Sequence, residues 1–313
     1  ILCIGGSFGG GNMFQANQAY AQLSGQFPAL AGNGPLFGLI LASLVGVVII
    51  GGIKSIANVT EKIVPLMALL YVGTALVIIL INISEVGNVF VLIFNGAFAP
   101  DAAFGGVIGV LIQGFRRAAF SNEAGVGSAA IAHSAAKTKE PVSEGIVSLL
   151  EPFIDTVVIC TMTALVIVIF NFGGFFEYGG DGSGVVFIDG QAFEGAGITS
   201  KAFAQYIPYS NIFLTIAVVL FAVSTMISWS YYGLQSWMYI FGKSKVSEIV
   251  YKLMFLVFIV IGAAGDMSSV WAFSDAMILA LVFPNMIGLL ILFPRVKEEL
   301  ENFLGAITEV RKT

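Results

Sequence analysis

The stretch IVPLMALLYVGTALVIILINI, Ile63 to Ile83, decides the fold. It carries no charge, and a helix crossing the hydrocarbon core of a bilayer needs about 20 such residues. Pro65 falls in its first turn, where the missing donor is unpartnered anyway. Lys54 and Lys62 precede the stretch and Glu85 follows it, so one end is basic and the other acidic. Outward from there, eight apolar stretches can be drawn, near 1–23, 36–50, 63–83, 86–112, 145–170, 210–236, 250–264 and 271–293. The basic residues collect in every second connection: Lys54 and Lys62; Arg116, Arg117, Lys137 and Lys139; Lys243, Lys245 and Lys252; Arg295, Lys297, Arg311 and Lys312. Glu85 and Asp101, then Glu177, Asp181, Asp189 and Glu194, then Asp266 occupy the others, with Lys201 the sole basic exception. Excess Lys and Arg marks the cytoplasmic side. The pattern predicts an all-α polytopic membrane protein with the residue 1 end and the C-terminus both cytoplasmic.

Composition agrees. The 313 residues are 58% apolar and only 11% charged, with a mean hydropathy of +0.94, which does not suit a water-exposed surface. We read 1–313 as a single membrane domain, incomplete at its N-terminus, with an outer loop region over 171–209 and a charged cytoplasmic tail over 294–313. Ile1 opens inside a hydrophobic helix with no basic flank and no cleavage site, so a fragment lacking an N-terminal part is expected. No basic stripe serves phosphate contacts, so no nucleic-acid partner is expected. Cys3, Cys160 and the lone His133 form neither a disulfide framework nor a metal cluster. The glycine runs at 9–11 and 125–127 do not follow a strand, which argues against a phosphate loop. With no nucleophile–base pair either, the chain reads as a non-enzyme without a cofactor.

The fourth stretch is interrupted by Gly87, Gly96, Pro100, Asp101, Gly105, Gly106 and Gly109. Non-helical backbone at membrane depth must be shielded or line a cavity, so a broken helix there would mark a site. A plain outer loop at Pro100-Asp101 is the other reading. The long region from Asn171 to Tyr209 suggests a lid, a short helix near Thr199 to Tyr206, or a mobile loop.

Four constellations carry chemistry. In Gly9-Gly10-Gly11-Asn12-Met13-Phe14-Gln15, helical spacing sets Asn12, Gln15, Ala19 and Gln22 on one stripe. Amides in a membrane either bind an uncharged or zwitterionic solute or tie helices together. Arg116 and Arg117 have Glu123 as a candidate ion-pair partner, making an inner gate or a static cap. Asp155, in Phe153-Ile154-Asp155-Thr156, would pair with an arginine, cap a broken helix or see a cation. Ser224, Thr225 and Ser228 offer neutral oxygens of the kind that suit hard cations, with Trp229 one turn from Thr225 as a wall for a small organic solute. Such hydroxyls also commonly bond the preceding turn.

The motifs SFGGGNMFQAN (7–17), FSNEAGVGSA (120–129), FIDT (153–156) and WSYYG (229–233) resemble the alanine/glycine:cation symporter family over essentially the whole chain. The resemblance implies a bacterial or archaeal inner-membrane carrier coupling uptake of L-alanine or glycine to Na⁺, sometimes H⁺. It also implies a partial LeuT-like architecture, the amino-acid–polyamine–organocation fold of two inverted repeats, entered at core helix three and running to core helix ten. On that map Phe104, Gly105 and Gly106 belong to the broken sixth core helix. With Asn12, Gln15, Thr225 and Trp229 they are expected in or beside the amino-acid pocket, and Ser224 and Thr225 at a sodium site. Arg116, Arg117, Glu123 and Asp155 are the expected gate. The implied partners are a small neutral amino acid, sodium and the lipid bilayer. A chain without the first core helices is expected not to transport alone. A channel or a nontransporting amino-acid sensor on the same helices is the competing class.

Overall fold

The computed structural model describes residues 1–98, 106–178 and 184–310. The chain begins with α1 (Leu2–Phe8), a π-helical turn (Gly9–Met13) and α2 (Phe14–Gln26) as one run, followed by α3 (Gly34–Ile50), α4 (Gly52–Ile81) and α5 (Val86–Phe98). After α6 (Gly106–Ser121) and α7 (Ser128–His133), a second long run joins α8 (Pro141–Ser148), α9 (Leu150–Pro152), a π-helical segment (Phe153–Cys160) and α10 (Thr161–Asn171). Strands β1 (Val185–Ile188) and β2 (Gln191–Glu194) precede α11 (Ala196–Tyr206), α12 (Ser210–Phe241), α13 (Lys245–Ala264) and α14 (Met267–Val310).

Among the described residues, five helical spans are long and apolar enough to cross a membrane: Gly52–Ile81, Pro141–Asn171, Ser210–Phe241, Lys245–Ala264 and Met267–Thr308. Gly34–Ile50 and Ile83–Phe98 are shorter apolar helices. The expected crossing at the start of the chain is the α1–α2 run, whose Asn and Gln side chains set it apart from the purely apolar spans. The result is a multi-spanning helical membrane bundle. The break expected between Pro100 and Gly109 falls mostly outside the described residues; helix resumes at Gly106.

Small residues bring the helices together. A Cβ on Gly34 would lie 2.5 Å from the Ala263 carbonyl oxygen, and one on Gly38 would lie 2.8 Å from the Val260 Cα. This four-residue spacing of glycines lets α3 pack directly on the backbone of α13. Across α13, a Cβ on Gly262 would lie 2.4 Å from the Met13 Cα, so the π-turn is wedged against the same helix. An apolar cluster of Leu41, Val45, Ile49, Met226, Ile227 and Phe255 fills the space between α3, α12 and α13. A second, with Ile78, Phe170, Ile188, Phe203 and Leu214, joins α4, α10, β1, α11 and α12.

The described part of the 171–209 region holds a helix and a hairpin. Helix α11 includes the expected Thr199–Tyr206 segment, but β1 and β2 form an antiparallel hairpin that the all-α expectation lacked. Asp189 (φ 53°) and Gly190 (φ 77°) form its two-residue turn. Positive φ at both central positions is what Asp-Gly supplies in a hairpin. Lys201, the basic exception, pairs with Asp189 at 3.1 Å.

Helix α14 continues through Pro284 and Pro294. At about 1.5 Å per residue it exceeds the roughly 30 Å hydrocarbon core, and its charged end, expected as a tail, is helical. Asp266 caps its start, its Oδ2 accepting from Ser268 Oγ and from the Ser269 N–H at 3.1 Å. These bonds, the Ser268 hydroxyl foremost, hold the exposed Asp266 carboxyl below the usual carboxylate range.

Candidate functional site

Two of the four motifs lie on π-helical segments, Gly9–Met13 and Phe153–Cys160. Such segments frequently occur at functional sites, because each extra residue per turn breaks the regular ladder. In the first, Gln15 Nε2 donates to the Gly10 carbonyl at 3.1 Å. Trp229 from α12 lies against the same turn: a Cβ on Gly11 would stand 2.2 Å from its Cγ. Only glycine allows the indole this close. On its other sides the ring meets Val126, Ile278 and Leu281, and it is 2% exposed.

The amide stripe divides. Asn12 Nδ2 donates to the Phe255 carbonyl at 2.7 Å, while its Oδ1 is buried without a hydrogen-bond partner among the described residues. Asn17 donates to the carbonyls of Gly262 and Gly265, and Gln22 to Ser200 and Thr215, so these two tie helices. Gln15 and Gln18 line a cavity of about 270 Å³ with Phe14, Phe221 and Trp271. A larger cavity of about 640 Å³, bounded by Gln18, Gln22, Gln26 and Asn211, lies beside it toward the hairpin. Thr225 and Trp229 line neither, so the structure brings Gln15 and Trp229 together only through the π-turn. Phe104 and Gly105 lie outside the described residues, and Gly106 begins α6.

On α12, the Ser224 hydroxyl is taken by the Phe221 carbonyl at 2.9 Å and approaches Met67 Sδ at 3.7 Å. Partly buried Thr225 has no hydrogen-bond partner among the described residues, which leaves its oxygen the freer of the two.

The expected gate is rearranged. Arg116 and Arg117 both pair with Asp275 Oδ2, at 2.7 and 2.6 Å, and not with Glu123. Asp275 is 5% exposed, and a carboxylate buried in α14 without cationic partners would be strongly unfavourable. The guanidinium of Arg117 lies 4.6 Å over the Trp271 ring. The pairing also sets these arginines toward the Met267 end of α14, opposite the end bearing Arg295 and Lys297; the alternation of basic connections had put all four on one side. Asp155 pairs with no arginine among the described residues. It accepts from Ser121 Oγ at 2.6 Å, and Asn122 Nδ2 donates to Thr156 Oγ1 at 2.6 Å, clasping the end of α6 to the second π-segment. Glu123 instead accepts from Trp229 Nε1 at 2.6 Å and from Ser128 Oγ.

Asp275 and Trp271 were not singled out by sequence reasoning. An acid inside an otherwise apolar crossing was the available signal.

An integral bundle with two π-interrupted helices, a buried aromatic against a glycine turn, and unpaired oxygens nearby defines a membrane protein built around an interior polar site. The profile of the sodium:alanine symporter family matches residues 1–312, and the chain belongs to that family. It is 38% identical over 308 residues to the sodium/alanine symporter AgcS of Methanococcus maripaludis, covering 98% of this chain and 63% of that protein. It is 32% identical to the sodium/proton-dependent alanine carrier protein of Bacillus sp. (strain PS3), over 82% of this chain and 58% of the relative. The probable sodium/glutamine symporter GlnT of Bacillus subtilis is 35% identical over 84% of the chain and 52% of its own length. The chain thus spans less than two thirds of these relatives.

Proposed function

We propose that this chain forms the larger part of a secondary active carrier that imports a small neutral amino acid, L-alanine or glycine, together with Na⁺. Family membership supports the class. The observation that carries the solute assignment is the cavity of about 270 Å³ at Gln15, beside the π-turn on which Trp229 is seated: a space of that size suits a small solute. Gln15 would supply amide contacts to the zwitterion, with the unpartnered Asn12 Oδ1 as a further acceptor. Phe104, Gly105 and Gly106 would complete the pocket from the broken helix. Thr225, with Ser224 beside it, would contribute neutral oxygens to sodium, a hard cation.

The fold would be the LeuT-like inverted repeat over core helices three to ten, in a bacterial or archaeal inner membrane with both ends cytoplasmic. The two clasps described above, Arg116 and Arg117 on Asp275 and Ser121 with Asn122 on Asp155 and Thr156, would make and break as access alternates. The test is accumulation: purified complete protein in proteoliposomes should concentrate labelled alanine against its gradient when Na⁺ is high outside. Equilibration without accumulation would assign a channel, and binding without movement a sensor.

A further inference from the structure

We infer that Glu123 is a positioning residue that fixes the Trp229 indole against the Gly9–Met13 π-turn, and through that turn the shape of the solute site at Gln15. The inference rests on the carrier reading for the solute, but the contact itself does not.

Glu123 sits between α6 and α7 with φ 56°, a left-handed conformation uncommon for a residue with a side chain. No cation pairs with it among the described residues, since the neighbouring arginines are committed to Asp275. Its two oxygens are used by two donors, the Trp229 indole N–H and the Ser128 hydroxyl. The loop holding it is anchored from both sides. Asn122 binds Thr156 through Nδ2 and accepts from the Ala124 N–H at 2.9 Å, while Asn285 Nδ2 donates to the Gly125 carbonyl at 2.8 Å. A carboxylate so held is a fixed acceptor aimed at α12.

The indole has one polar atom, and that atom is spent on Glu123. The Glu123 oxygen that accepts it is not shared with a competing cation among the described residues. Gly11 bounds one face of the ring, and Val126, Ile278 and Leu281 bound the rest. The apolar contacts limit where the ring fits; the carboxylate selects its orientation within that space. Without the acceptor, a buried N–H is unsatisfied and the ring must turn to find another partner.

The experiment compares alanine KM and maximal rate, with leucine as competitor, in the complete protein carrying Glu123→Ala, Glu123→Gln, Trp229→Phe and the pair Glu123→Ala/Trp229→Phe. Glu123→Ala should raise KM about tenfold with a smaller change in maximal rate, and should let leucine compete better. Glu123→Gln keeps an acceptor and should recover most of the loss. Since phenylalanine has no N–H, adding Glu123→Ala to Trp229→Phe should change KM less than about twofold. An equally large effect in the Trp229→Phe background, or no KM change in Glu123→Ala, overturns the inference. If Glu123→Ala does not fold, Glu123→Asp, which withdraws the carboxylate, is read in the same way. If the parent protein moves no alanine, the carrier reading fails, and the contact is judged by fluorescence in a background where Trp237, Trp271 and any tryptophan outside these 313 residues are changed to phenylalanine. There Glu123→Ala should shift Trp229 emission, and unchanged emission overturns the inference.

Discussion

Arg117 and Asp275 lie 158 positions apart in sequence and 2.6 Å apart in the fold, joining α6 to α14 through a carboxylate that also holds Arg116. The bond is charge-assisted, and Trp271 Nε1 adds a third donor to the same oxygen at 3.2 Å. Asp275→Asn would leave two cations facing a neutral amide. The arginines are 40% and 37% exposed, so the cost falls below that of a wholly buried pair, at about 1–3 kcal/mol. The expected outcome is a lower melting temperature in detergent, with Arg116→Gln alone producing a smaller drop because Arg117 remains.

Gly11→Ala tests the seat of Trp229. Its Cβ would overlap the indole, and overpacking of this kind costs about 1–3 kcal/mol. Alanine transport should be nearly abolished. Gly25→Ala, with nothing within 4 Å of the added methyl, should transport like the parent. Equal activity of the two variants would show that the ring moves aside freely.

Two neighbouring amides should separate function from packing. Gln15→Ala is expected to raise alanine KM about tenfold with little change in melting temperature, because its bond to Gly10 is partly exposed and within one turn. Asn17 bridges two carbonyls of the α13 end, so Asn17→Ala should lower stability by about 1–3 kcal/mol and leave KM nearly unchanged. Thermal unfolding and uptake kinetics on both variants check the contrast.

Thr225→Ala is expected to weaken Na⁺ stimulation, raising the sodium concentration for half-maximal uptake about tenfold through loss of one oxygen ligand. Ser224→Ala should do less, since its hydroxyl already serves Phe221. Unchanged sodium dependence in Thr225→Ala would reject its ligand role.

Membrane class was legible because uncharged runs such as 63–83 can satisfy their backbone only as helices in lipid. The hairpin was missed: Asp189-Gly190 was its one signal, and its strands are only four residues each, hidden among glycines. The motifs 7–17 and 153–156 fall on the two π-segments, and 120–129 on the loop that holds Glu123. What they could not give was partners. Glu123 was matched to the nearest cations in sequence, Arg116 and Arg117, whereas the fold delivers Asp275 to the arginines and Trp229 to Glu123. Choices of that kind depend on which helices pack side by side, and periodicity along one helix carries no such information. The same limit applies to Asn12 and Asn17: spacing showed amides on a helix, and only packing against α13 showed which were already satisfied.

The most direct test of the central claim is uptake of labelled alanine by the complete protein in proteoliposomes, with Na⁺, K⁺ and pH gradients imposed one at a time. Sodium-coupled symport predicts accumulation above the outside concentration under the inward Na⁺ gradient, and none under K⁺ alone. No accumulation under any of the three gradients would contradict it.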